Sequence, residues 1–280
     1  MNFTTRHIHF FAPEKIALSG QVFRFRVIDD THTEVVAFGR YLQIASLGDD
    51  RYAFSCPEDE FDRIWHGYFD LSRDYEAICD SIDPDDTYLC DACSFGYGIR
   101  ILKQDVWETV ISYIISQRRS IPSIMTSVDR ISRMYGKKIK VPKLGDPFVK
   151  PLFDEYYSFP AVDEISSATL ADITSTGVGY RAEYIMCAID DFRSGKITED
   201  MLESLDDDRL YDVLLSMRGV GCKVANCIML YGLARCGRFP IDVWMDRIIK
   251  AHYSGHFDYT KYPGTCGIMQ QFMFYYERNR

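Results

Sequence analysis

The stretch RGVGCKVANCIMLYG, Arg218 to Gly232, is a glycine-bracketed turn that runs straight into a helix. Val224, Cys227, Ile228 and Tyr231 recur at the spacing of one helical face. Upstream, Leu210, Val213, Leu214 and Met217 repeat it. The segment therefore reads as a helical hairpin over about residues 206–235. Gly219 and Gly221 permit positive φ and close approach of another backbone. The turn amides, Val220 among them, and those of the next helix's first turn lack intrahelical partners, so they form an anion site. Lys223 is then oddly placed, because a cation sits badly at the positive end of a helix dipole. Were it also partly buried, the ammonium form would be disfavoured, and a neutral amine is a nucleophile suited to a Schiff base. The plainer reading is a lysine that pairs with phosphate.

Downstream, RFPIDVWMDRI places Asp242 at a helix N-cap just after Pro240. Such an aspartate caps its helix, and it can also be held with its carboxylate aimed into a cleft. DVWETVISYIISQ and IPSIMTSVDRISRMYG carry helical apolar stripes, the second stopping at Gly136, and GIMQQFMFYYERNR is a last helix. The first hundred residues differ. QVFRFRVI alternates, EVVAFGRYLQIASL follows the polar turn DDTHTE, and LGDD leads into RYAFSC, which reads as an antiparallel meander. FDRIWHGYFDL and YEAICDSI read as short helices after it. The fold class is α+β: a small antiparallel sheet domain over residues 1–98, then a helical domain over 99–280 that contains the hairpin.

Composition narrows the partners. The net charge of −9 argues against nucleic acid, but residues 100–150 hold eleven Lys/Arg against four acids, a local excess of +7. A basic face of that kind can bind phosphate, or it can be an ordinary solvated helix surface. No run of about 20 apolar residues occurs. The N-terminal segment lacks the features of a signal peptide, so an intracellular place (cytoplasm or nucleoid) is expected. Nine cysteines at irregular spacing suggest no disulfide framework. Cys90 and Cys93 have CxxC spacing but no second pair beside them, so no metal site is expected.

With these elements in place, LLSMRGVGCKVANCIMLYGLARCGRFPIDVWMDRI resembles the signature of the helix-hairpin-helix DNA glycosylases: hairpin, lysine, downstream aspartate. Within that superfamily it is most similar to the 8-oxoguanine DNA glycosylase/AP lyase family. LSGQVFRFR, ILKQDVWETVISYIISQRRSIPSI and TGVGYRAEYI resemble that family's first strand, DNA-contacting helix pair and wedge loop. The resemblance implies base flipping, excision of 8-oxoguanine from double-stranded DNA and β-elimination through a lysine Schiff base. It implies Lys223 as nucleophile and Asp242 as the carboxylate that stabilises charge on the sugar. It also implies Gly20 as a carbonyl that accepts the lesion's N7 proton, Cys227 and Phe274 as pocket walls, and Gln270 as reader of the Watson–Crick edge. Tyr180 matches the wedge and Arg181 a reader of the partner base, with Arg119 beside them in the DNA-contacting turn.

Three positions depart from the family pattern. Arg118 stands for the asparagine that fills the flipped base's space, Ser123 for an arginine that reads the opposite cytosine, and Trp244 for a phosphate-contacting histidine. Losing the arginine fork implies relaxed opposite-base selectivity. The protein is expected to act as a monomer, with no required cofactor and at most a monovalent cation at the hairpin turn. The competing readings are an alkylpurine glycosylase of the same superfamily, against which Lys223 speaks, and a non-catalytic hairpin that only grips DNA backbone.

Overall fold

The computed structural model describes residues 3–280. Its sheet has β1 Thr4–His7, β2 Phe25–Val27, β3 His32–Ala37, β4 Arg40–Ser46 and β5 Arg51–Phe54. All neighbours are antiparallel, in the order β1-β5-β4-β3-β2. Phe25 pairs with Val35, Val35 with Leu42, and Ile44 with Phe54. That register puts the apolar members on one face, where they bury Phe61, Trp65 and Phe69. The segment EVVAFGRYLQIASL is two strands. It reverses at Phe38 and Gly39, whose φ angles are +50° and +68°. Two positive φ values make the hairpin turn whose twist suits the strands. Phe38 lacks the usual Asn-Gly signal, so the apolar pattern runs through the turn unmarked.

The helical body is built around Val106–Ser116, buried at nearly every position from Val106 to Ile115. Asp105 caps it by accepting from the Glu108 amide at 2.8 Å. Around it lie Ile121–Tyr135, Ala182–Arg193, Asp207–Ser216, Cys222–Tyr231, Val243–His252 and Cys266–Asn279. Helices Tyr75–Asp80 and Thr87–Phe95 pack here too: Tyr75, Leu89 and Ala92 belong to the helical core, while the sheet's core takes Phe61 to Phe69 and then Leu102. Two helices that precede residue 98 thus share the helical body's core. Apolar spacing shows that a helix buries a face, but not which core receives it.

Cys79 and Cys93 form a disulfide between those two helices, with Cα atoms 6.5 Å apart. The expectation that the cysteines stay unpaired fails for this pair. Cys93 finds its partner through the packing of the helices, while its CxxC neighbour Cys90 remains a free thiol. No helix among the described residues is long and apolar enough to cross a membrane.

The two cores meet at adjacent residues. Phe10 packs in the helical core and Phe11 in the sheet core. Arg100, only 5% exposed, pins this junction. Its guanidinium donates to the carbonyls of Phe10 and Asp70 at 2.8 Å, His9 at 3.1 Å and Arg73 at 3.2 Å. It also lies 4.7 Å over the Tyr75 ring. Removing it strands several carbonyls, each costing about 1–3 kcal/mol where water cannot reach. We expect Arg100→Met to destabilise the protein by about 3 kcal/mol, read as a lower urea midpoint at unchanged slope.

Candidate active site

The hairpin forms as its sequence suggests, with one change in how its glycines are used. Helix Asp207–Ser216 is capped by the Asp206 carboxylate, which accepts from the Arg209 amide at 3.0 Å. Gly219 has φ +84°, and a Cβ there would lie 2.4 Å from the Tyr184 ring, so only glycine fits. Gly221 has an ordinary extended φ of −101° and open space around it. It is the N-cap of Cys222–Tyr231 and offers no side-chain cap, so the first-turn amides of that helix face outward unmet. Val220 differs from expectation: its side chain is buried and its amide donates to the Met217 carbonyl at 3.1 Å. In this structure that amide closes the turn. The Gly219 carbonyl accepts from Gln117 Nε2 at 3.0 Å. With Met217 and Gly219 carbonyls both engaged, a monovalent cation at the turn would have to share them.

The hairpin's second helix lines one side of a cleft of about 330 Å³. Lys223, Cys227, Asp242, Gly20, Gln270 and Phe274 all line it, although they come from four separate stretches of chain. Lys223 Nζ lies 5.2 Å over the Tyr113 ring, on the central helix. Cys227 sits one turn beyond Lys223 with its thiol buried, and that burial pushes the thiol up, away from thiolate. Asp242 is indeed an N-cap: its Oδ1 accepts from the Trp244 and Met245 amides, both at 2.9 Å. Its second oxygen accepts no hydrogen bond from the described residues and is left to the cleft. Gly20 has φ +80°, and a Cβ built on it would come 3.2 Å from the Phe274 ring and 3.1 Å from Ile121. Glycine there lets the backbone lie against the ring wall.

Tyr113 and Tyr231 also line the cleft, and sequence reasoning missed both in this role. Tyr231 sits on the apolar stripe, where it looks like plain core. Arg278 was missed as well: its guanidinium lies 5.2 Å over the Phe274 ring, across from the pocket wall. Its place one turn after Phe274 on the last helix is the only sequence signal that could have found it.

A wider groove opens beside the cleft, lined by Arg118, Arg119, Gly221, Lys223 and Asp242. Arg118 is exposed with φ +52°, a left-handed conformation uncommon for a side chain of its size. Arg119 is held by the Ser123 hydroxyl, to which its Nε donates at 3.0 Å, and by the Gly177 carbonyl at 2.6 Å. Ser123 is thus occupied within the protein. Tyr180 is 56% exposed at the tip of the loop that carries Gly177 and Gly179. Arg181 departs from its expected role: it is 6% exposed, and its guanidinium donates to the Gln117 and Val178 carbonyls. It ties the wedge loop to the Arg118 turn. Trp244 is 43% exposed beside Ile241 and Val243, with Arg247 over its ring at 5.7 Å. Away from the cleft, His7 at the end of edge strand β1, His9 just after it and Asp50 just before β5 gather three ligand atoms within 4.8 Å of one another. That set could hold a divalent metal, a grouping sequence reading did not note.

A family model for the N-terminal domain of 8-oxoguanine DNA glycosylase matches residues 5–110. The N-glycosylase/DNA lyase of Saccharomyces cerevisiae is 38% identical over 169 residues, which cover 56% of this chain and 42% of that protein. The chain thus spans less than half the length of that curated relative. Among solved structures, MBOgg1 in complex with a low-affinity DNA ligand superposes with a TM-score of 0.90 at 32% identity, over 99% of this chain and 96% of that one. The Clostridium acetobutylicum 8-oxoguanine glycosylase/lyase, bound to double-stranded DNA with cytosine opposite the lesion, gives a TM-score of 0.88 at 30% identity over 99% and 95%. Likeness that runs through nearly the whole of both chains, with the family's own N-terminal model lying across the sheet, makes this chain a member of the 8-oxoguanine DNA glycosylase family.

Proposed function

We propose that this protein excises 8-oxoguanine from double-stranded DNA and cleaves the resulting abasic site by β-elimination, acting as a monomer inside the cell. The observation that carries the reading is the cleft: Lys223, Asp242 with one carboxylate oxygen free of hydrogen bonds from the described residues, Cys227, Phe274 and Gly20 line one small space. A non-catalytic hairpin has no need of that convergence.

Stacked bases are out of reach, so the lesion enters the cleft by rotating out of the duplex. Cys227 and Phe274 take its two faces and Gln270 its Watson–Crick edge. The N7 proton, present on 8-oxoguanine and absent from guanine, donates to the Gly20 carbonyl. Guanine would leave that carbonyl unpaired, a loss of about 1–3 kcal/mol. Lys223 then attacks C1′ with its amine lone pair as the bond from C1′ to the base breaks. The base departs with that bonding pair and takes up a proton. The Asp242 carboxylate lies where positive charge gathers on the sugar, and it stabilises that charge in the bond-breaking step. The nitrogen lone pair then opens the sugar: the C1′–O4′ bond breaks, O4′ leaves with its pair and takes up a proton, and the C1′=N Schiff base forms. Loss of a C2′ proton from that Schiff base expels the 3′ phosphate and nicks the strand. Because burial keeps the Cys227 thiol protonated, it does not compete with Lys223 as nucleophile.

Outside the cleft, the unmet first-turn amides, Arg118 and Arg119 suit a phosphate backbone. Tyr180 is the exposed wedge, and Trp244 contributes an aromatic face where a charged ring would pair with phosphate. Ser123 is engaged with Arg119, so no arginine at that position forks to an opposite cytosine, and Arg118 fills the space with charge instead.

Incubation of the wild type with an 8-oxoguanine duplex and borohydride is expected to give a covalent adduct, and Lys223→Gln none. An adduct that survives Lys223→Gln would remove the nucleophile assignment. Asp242→Asn keeps the cap, since asparagine caps as well as aspartate, and should lower single-turnover excision on the order of 10²–10³-fold with little change in Tm. Excision opposite A, G and T should fall only modestly below excision opposite C in parallel single-turnover assays; a strict preference for C would show that Arg118 or Arg181 replaces the lost reader.

A further inference from the structure

The peptide run that carries Gly20 is tied at both of its neighbouring carbonyls. The Ser19 carbonyl accepts from Gln271 Nε2 at 2.9 Å. The Gln21 carbonyl accepts from Gln104 Nε2 at 2.9 Å and from the Tyr113 hydroxyl at 3.1 Å. The Gln21 side chain is itself held, donating to the Ser19 hydroxyl and the Arg100 carbonyl and accepting from the Leu102 amide. Between these anchored peptide planes, the Gly20 carbonyl accepts no hydrogen bond from the described residues. A backbone held on both sides of a glycine cannot turn that carbonyl away, although glycine alone would let it.

Gln271 is the anchor from the helical body, and it is polar where its helix is otherwise buried: 1% exposed. Buried amides persist where both ends are paired. Its other end, Oε1, accepts from the Tyr231 hydroxyl at 2.7 Å. Burial pushes the Tyr231 phenol well above its usual range, so the hydroxyl keeps the proton it donates. The same hydroxyl stands 3.2 Å from Gln270 Oε1. One proton serves one acceptor, and the shorter contact is to Gln271. Tyr231 and Gln271 thus form a chain running from the catalytic hairpin helix to the loop from the sheet domain.

We propose that Gln271, oriented by Tyr231, is the positioning residue that aims the Gly20 carbonyl at the N7 edge of the flipped base and so sets discrimination between 8-oxoguanine and guanine. This rests on the excision reading above. The role is separable from the sugar chemistry, because an abasic site has no base for Gly20 to read. Gln271→Met preserves length and volume but cannot donate to Ser19. Tyr231→Phe removes only the hydroxyl at the far end of the chain and serves if Gln271→Met does not fold.

The test compares single-turnover excision from an 8-oxoguanine:C duplex with borohydride trapping on a duplex that carries an abasic site. For Gln271→Met we expect excision to fall about tenfold or more, with abasic-site trapping within about twofold of the wild type. Tyr231→Phe should shift excision the same way by a smaller factor. Unchanged excision in both variants would overturn the proposal. So would a matching loss of trapping, because the residues would then support the whole cleft. A wild type that traps abasic sites but leaves 8-oxoguanine in place would overturn the base assignment itself, and that failure shows in the unmodified protein.

Discussion

The pocket depends on how the chain crosses between its two cores. The segment from Phe10 to Arg24 leaves the sheet domain, touches the helical body and returns, and buried polar groups hold it at each step. Arg100 takes up four carbonyls around the crossing, and Gln21, fully buried, bonds at both ends of its amide. Hydrogen bonds to a buried charge are stronger than those between neutral groups, and leaving such groups unpaired is costly. The crossing is therefore stiff. It delivers Gly20, from the sheet domain, against Phe274 and within the same cleft as Lys223. A loose crossing would leave a hairpin that grips phosphate without a base pocket.

A second set of contacts ties together the groove outside the cleft. Gly219 lets Tyr184 pack against the hairpin turn, and Tyr184 in turn meets the Tyr180 ring at 5.9 Å. Gln117 reaches the Gly219 carbonyl, and Arg181 reaches the Gln117 carbonyl. Hairpin, wedge loop and the Arg118 turn thus share short contacts across three separate stretches. Arg181 shows why charge read from a sequence overstates the ligand face: a guanidinium that satisfies buried carbonyls is structural, however basic its surroundings.

Much of this was legible in the residues. Apolar spacing marked the hairpin, the central helix and the last helix, because a helix that packs must repeat its apolar face. The cap at Asp242 was legible because proline followed by aspartate before an apolar run leaves few alternatives. The i, i+4 pairs Lys223–Cys227 and Gln270–Phe274 placed each couple on one face. The turn at Phe38 and Gly39 was hidden, since nothing in a phenylalanine announces a left-handed backbone. The Cys79–Cys93 bridge was hidden too, because the CxxC spacing pointed to the wrong neighbour.

The sequence by itself determined the local elements and the chemical kinds at the site: a lysine at a helix start, an aspartate at a cap, a cysteine and a phenylalanine one turn from polar partners. These follow from interactions within a few residues, whose geometry a helix imposes directly. Only the tertiary structure decided which of these groups share a cleft, that Tyr231 and Gln271 brace the Gly20 loop, and that Val220 and Arg181 serve the scaffold. Those outcomes join residues up to 252 positions apart, as in the bond from Gln271 to Ser19. Contacts at that range are set by how the cores pack and by the need to pair every buried polar group.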